Sequence, residues 1–303
     1  MSVPDFQSLM LPLLRMAADG KKHSLAETRP LLAAQLKLSA ADEEELLPSG
    51  RQARFANRVA WAKIYLQQVG LLLAPRRGHS QISHRGRELL NPSPDRIDIK
   101  CLGLYPDVAE FRRKKGDIGE EAATTGSEAE VETPEEALEA AHLKMKGSLA
   151  SEVLGRVKAG SPQFFERMVV ELLLRMGYGG SRNDAGQIVG KSGDEGIDGI
   201  ISEDRLGLDI VYVQAKKWDG TVGRPEVQKF VGALHGRRAR KGVLITTGTF
   251  SADAASYVEQ IEPQVVLIDG RRLAELMIDF EVGVSTTGTF HVKRVDSDFF
   301  DEA

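Results

Sequence analysis

The sequence is poor in cysteine: Cys101 is its single one in 303 residues. That excludes an internal disulfide and a cysteine-rich zinc site, and it fits a reducing compartment. Met1–Leu14 lacks a basic-then-apolar leader, and no apolar run approaches the ~18 residues of a membrane span. A cytoplasmic chain with no membrane partner is therefore expected. His142, His235 and His291 show no metal-ligand spacing. Gly177–Gly180 is glycine-rich, but no Lys-Ser/Thr pair follows, so it reads as a helix stop and not a phosphate loop. Between Asp117 and Leu143 there is no lysine or arginine, and no internal repeat is found along the chain.

What is present is the composition of a soluble globular protein, 42% hydrophobic and 28% charged. The length calls for two domains plus connectors. A net charge of −4 disfavours nucleic-acid binding only on average. Nine acids lie in the stretch 117–143, from Asp117 through Glu128 to Glu139, and without them basic side chains outnumber acidic ones. The acidity belongs to a linker.

Residues 1–92 predict short helices followed by a hairpin. Ser24 and Glu27 make a capping box ahead of Leu31, Leu32 and Leu36. From about Gln52 to Val69, an apolar stripe of Phe55, Val59, Ala62, Leu66 and Val69 has helical spacing. Arg54, Arg58, Trp61 and Tyr65 form a second stripe. Two β-like runs, Leu71–Ala74 and Gln81–Ser83, flank a basic tip with Arg76 and Arg77. Helices followed by a basic hairpin make a winged-helix arrangement, expected to recognise DNA. Arg54, Arg58, Arg76 and Arg77 are the candidate phosphate contacts. For Arg54 and Arg58 an ordinary solvated face is the other reading, and Trp61 and Tyr65 also fit core or rim packing.

Residues 93–147 read as an acidic connector, flexible or partly helical, with a helix expected to begin at Pro134. A second domain is expected over 148–290, with a tail at 291–303. Ser161 caps a helix whose buried side carries Phe164, Phe165, Met168, Val169, Leu172, Leu173 and Met176. Strands and helices then alternate, predicting an α/β fold: a mixed sheet with helices on both faces.

Asp198 opens one apolar run, and Gln214 and Lys216 interrupt the next after Ile210–Val213. A hairpin centred on Leu206 would pair Asp198 with Gln214 and put both on one face with Lys216. Such a group could hold a divalent cation through Asp198 and Gln214, with Lys216 offsetting phosphoryl charge. Taken singly, Asp198 also fits a strand-start carboxylate and Lys216 an edge-strand lysine. Polar groups inside a buried strand are costly unless they are used, which favours the site.

Gly196–Gly199 with Gln214–Lys216 resembles the signature of the Mrr-type restriction endonucleases, a branch of the PD-(D/E)XK nuclease superfamily. The resemblance extends through Phe165-Glu166, Leu173–Tyr178, Leu206–Leu208, Tyr212–Lys216, Val222–Glu226, Leu244–Thr247, Leu267–Gly270 and Glu281–Val284. It implies an N-terminal winged-helix domain plus a PD-(D/E)XK nuclease-like mixed β-sheet flanked by helices. It also implies a Mg²⁺-dependent endodeoxyribonuclease, with Mn²⁺ an alternative ion, that cuts methylated double-stranded DNA. By the same resemblance Asp198 is the metal carboxylate and Lys216 the catalytic lysine, while Gln214 stands where a carboxylate is usual. Glu166 matches a carboxylate some superfamily members add to the metal site, and equally fits a solvated helix position. Glu195 departs from the glycine usual in this motif. Double-strand cutting needs two centres, so a homo-oligomer is expected. The competing reading is a non-catalytic DNA-binding regulator on a nuclease-like fold.

Overall fold

A computed structural model describes residues 2–76, 78–103, 132–179, 197–203 and 208–293. Arg77, Glu195, the turn around Leu206 and most of the acidic connector lie outside the described residues. The chain divides into two compact units, one within Met1–Lys144 and the other spanning Met145–Val292.

In the first unit the elements are α1 (Phe6–Met16), β1 (His23–Ser24), α2 (Leu25–Gln35), α3 (Ala40–Glu44), α4 (Arg54–Gln68), β2 (Leu72–Leu73), β3 (His79–Ile82), α5 (His84–Leu90) and α6 (Ile99–Leu102). The capping box forms as expected: Glu27 N–H donates to Ser24 Oγ, and Ser24 N–H to the Glu27 carboxylate. The apolar stripe of α4 is buried throughout, packed with Phe6, Leu9, Met10 and Leu14 of α1. Each Val, Leu or Phe so placed contributes about 1.5–3 kcal/mol. Strands β2 and β3 pair antiparallel as the wing, and β1 joins them on the other side of β3. β1 is only two residues long, too short to show a period in sequence.

Helix α7 (Pro134–Ala159) starts where expected but runs on to Ala159. Its first turn is not a solvated linker. Thr133 is fully buried, and its hydroxyl donates to Asn57 Oδ1 at 2.8 Å. Arg58 donates to Glu136 at 2.9 Å and to the Val3 carbonyl. Trp61 donates its indole N–H to Glu135 at 3.1 Å, and Ser49 donates to Glu139. The expectation that Arg58 projects toward DNA is therefore corrected: it is only 3% exposed, with its charge matched internally. Arg54 is half-buried and paired with Glu45 and Glu136.

The second unit continues from the end of α7 with α8 (Pro162–Arg175), β4 (Gly199–Ser202), β5 (Ile210–Lys216), β6 (Thr221–Val222), α9 (Arg224–Gly236), β7 (Lys241–Thr246), β8 (Thr249–Phe250), α10 (Ala252–Val258), β9 (Gln264–Ile268) and α11 (Gly270–Asp279). Strand order is β4-β5-β7-β9, with β4 antiparallel to β5 and the remaining pairs parallel. One face of the sheet packs on α8, α11 and the end of α7, the other on α9 and α10. This is the mixed sheet with helices on both faces that the sequence predicts. A separate two-stranded ladder, β6 with β8, links the loop after β5 to the loop after β7. Phe164, expected to be buried, is exposed at the first turn of α8, while Phe165, Met168, Val169, Leu172 and Leu173 are buried.

Candidate active site

The parallel strands β5, β7 and β9 end together, and Asp198 enters β4 beside the end of β5. Crevices outside the carboxyl ends of such strands are where open α/β sheets place ligands. Gly199 pairs with Val213, Ile200 with Tyr212, Ile201 with Val211 and Ser202 with Ile210. This is the register of a hairpin centred on Leu206.

Asp198 itself leaves that register. Its N–H donates to the Val213 carbonyl at 2.9 Å, so Asp198 and Gly199 both oppose Val213, the two-against-one count of a β-bulge. The packing agrees. Ile201 lies in the core on the α8 side, whereas Ile197 lies in the core on the α9 side, so strict alternation has slipped by one between them. The expected pairing of Asp198 opposite Gln214 is replaced by a different tie. Asp198 Oδ2 accepts the Ala215 N–H at 2.8 Å.

The slip decides which groups meet. Burial pushes the Asp198 carboxyl above its ordinary range, and the Ala215 N–H partly offsets this. Glu166, on α8, is also pushed up, first by desolvation and then by the charge of Asp198. Glu166, exposed on α8, thus feels the charge of the half-buried Asp198 on the α8 side. Gln214 and Lys216 lie on the other side. Val211 and Val213 point into the α8-side core and Tyr212 packs on the α9-side core, so residues 214 and 216 follow Tyr212. Lys216 Nζ donates to Glu226 Oε2 on the first turn of α9 and sits 4.6 Å from the centroid of the Trp218 ring. Among the described residues its ion pair is with Glu226 and not with Asp198. Gln214 is half-buried beside it.

The loop after β5 is fixed by several contacts. Lys217 Nζ donates to the Gly160 carbonyl at 2.6 Å, just ahead of α8. Trp218 N–H donates to Thr247 Oγ1 at 2.9 Å, and that hydroxyl donates back to the Trp218 carbonyl at 2.9 Å. Sequence reasoning does not single out Glu226 and Trp218 as site residues. Glu226 stands at the end of one matching motif, but nothing there pairs it with Lys216. Arg76 is exposed at the wing tip, where Gly78 takes a positive φ of 70°.

The chain is similar to known proteins in both of its units. A family model described as a restriction endonuclease matches residues 157–277, and one described as the Mrr N-terminal domain matches residues 6–92. The chain is 36% identical over 315 aligned positions to the type IV methyl-directed restriction enzyme EcoKMrr of Escherichia coli (strain K12), covering 99% of this chain and the whole of that one. Among solved structures, the DNA modification-dependent restriction endonuclease AspBHI overlaps 46% of this chain and 36% of its own, with 20% identity and a TM-score of 0.34. The MspJI restriction endonuclease in complex with a 27-mer oligonucleotide overlaps 51% and 34%, with 25% identity and a TM-score of 0.28. On its near full-length match and its two family domains, the chain belongs to the Mrr family of type IV restriction endonucleases.

Proposed function

We propose that this endonuclease hydrolyses phosphodiester bonds of methylated double-stranded DNA in a divalent-metal-dependent reaction centred on Asp198, Glu166, Gln214 and Lys216. The observation that carries the site is the half-buried Asp198 carboxylate tied at 2.8 Å to the Ala215 N–H, between Gln214 and Lys216 at the end of β5, with Glu166 of α8 within reach of its charge. An all-oxygen donor set of this kind fits a hard cation, Mg²⁺ or Mn²⁺. Asp198 and Glu166 would hold it from the α8 side, while Gln214 and Lys216 flank the end of β5 from the other side and Gln214 leaves the expected ligand set. When bound, such an ion neutralises phosphoryl charge and makes a water acidic enough to attack.

The chain's own groups do the rest. The Ala215 N–H holds the Asp198 carboxylate in one orientation. Lys216, a compact ammonium on a flexible stem, offsets the charge that grows on the scissile phosphate. Arg76, exposed at the wing tip, is the proposed backbone contact, a cation that sets register without reading sequence. Each chain carries one such centre, so cutting both strands calls for a homodimer or larger assembly on DNA.

Methyl direction comes to this chain from its E. coli relative, whose description is methyl-directed. It is tested with matched plasmids differing only in DNA methylation, incubated with the protein and Mg²⁺ or Mn²⁺. Cleavage of the methylated plasmid alone is expected. Equal cutting of both plasmids would overturn modification dependence, and tight binding without cleavage under any divalent ion would favour the regulator reading.

A further inference from the structure

We infer that Glu226 is a positioning residue for Lys216, holding its ammonium at the end of β5 in the orientation used for cleavage. The inference rests on the proposed role of Lys216. Three observations carry it. First, Lys216 is placed by a strand and Glu226 by a helix: the Glu226 carboxylate accepts from Lys216 Nζ through one oxygen and from Lys229 Nζ at 2.7 Å through the other. Both Glu226 oxygens are occupied, so the carboxylate cannot swing freely. Second, Glu226 stands three residues after the N-cap Gly223 of α9, where the partial positive charge of the helix end favours a carboxylate. Lys216 first and Lys229 next hold its pKa below the ordinary range. Third, the Trp218 ring lies 4.6 Å from Lys216 Nζ, and the Trp218 backbone is itself fixed through the Thr247 hydroxyl. A lysine side chain has four rotatable bonds and considerable rotamer freedom. Glu226 and Trp218 remove that freedom before DNA arrives.

A carboxylate beside a phosphate-binding lysine also repels the DNA backbone. Glu226 is therefore expected to cost affinity while raising turnover, and these opposite signs separate positioning from general support of the fold. The experiment measures kcat, KM and DNA affinity for full-length wild type, Glu226→Gln and Glu226→Asp on methylated plasmid, with thermal unfolding as the fold control. For Glu226→Gln, kcat should fall about tenfold to a hundredfold. KM and DNA affinity should hold or tighten, with unfolding little changed. Glu226→Asp, which keeps the charge on a shorter stem, should recover part of kcat. In a Lys216→Gln background, Glu226→Gln should cause no further loss. An unchanged or raised kcat for Glu226→Gln overturns the inference, as does a fall that tracks lost affinity or lost folding. If wild type itself fails to cut, the functional reading falls instead, so the two failures are distinct.

Discussion

Asp198 accepts the Ala215 backbone N–H at 2.8 Å, so its carboxylate is tied to the strand segment lying between Gln214 and Lys216. The tie exists because Asp198 and Gly199 both oppose Val213. One added residue at the strand entrance turns the carboxylate toward Glu166 and leaves Lys216 to Glu226.

Replacing Asp198 by Asn should separate function from stability. Burial raises the Asp198 carboxyl, so its charged form is a cost to the folded, metal-free protein at neutral pH. Asp198→Asn is predicted to lose at least about a hundredfold in cleavage. Its melting temperature without divalent ions should equal or exceed that of wild type. Calorimetry with and without Mg²⁺ checks this, and added Mg²⁺ should stabilise wild type more than the variant.

The same shifts set a pH dependence. Asp198 and Glu166 both have folded pKa values above their unfolded ones, so the folded state holds more protons just above the ordinary carboxylate range. Their contribution to stability therefore falls as pH rises through that window. Activity runs the other way, because a cation needs the ionised carboxylates. The acid limb of the kcat profile is predicted to lie above the ordinary carboxylate range, set by the burial of Asp198. A limb at the ordinary range in wild type would contradict that role for the buried Asp198 carboxyl.

In the first unit, Arg58 and Glu136 are 3% and 7% exposed and joined at 2.9 Å. Breaking this buried pair costs about 3–5 kcal/mol. Glu136→Gln should thus lower the unfolding midpoint in urea markedly.

Gly248 is predicted to tolerate no side chain. A Cβ there would sit 2.0 Å from the Gly220 carbonyl oxygen and 2.8 Å from that of Trp218. Gly248→Ala should push away the loop carrying Trp218, costing about 1–3 kcal/mol of stability and lowering kcat. Parallel unfolding and cleavage assays read both effects.

Much of this architecture is legible in the sequence because it is periodic. The stripe from Phe55 to Val69 and the caps at Ser24 and Ser161 need only local chemistry, and the hairpin register follows from where the apolar runs lie. The departures come from tertiary contacts. Arg58 reads as a surface cation until Glu136, 78 positions later, is seen to bury with it. The bulge at Asp198 leaves no mark in composition, and it separates a trio that simple alternation puts on one face. Glu226 escapes a reading of the sequence because a first-turn glutamate is common on helices. Only the fold brings it to Lys216.

The most direct test of the proposed centre is single-turnover cleavage of methylated plasmid by wild type, Asp198→Asn and Lys216→Ala, each first shown to bind that DNA. The account predicts Mg²⁺- or Mn²⁺-dependent cutting by wild type and loss of cutting with binding retained in both variants. Cutting by Lys216→Ala or Asp198→Asn at the wild-type rate would contradict it.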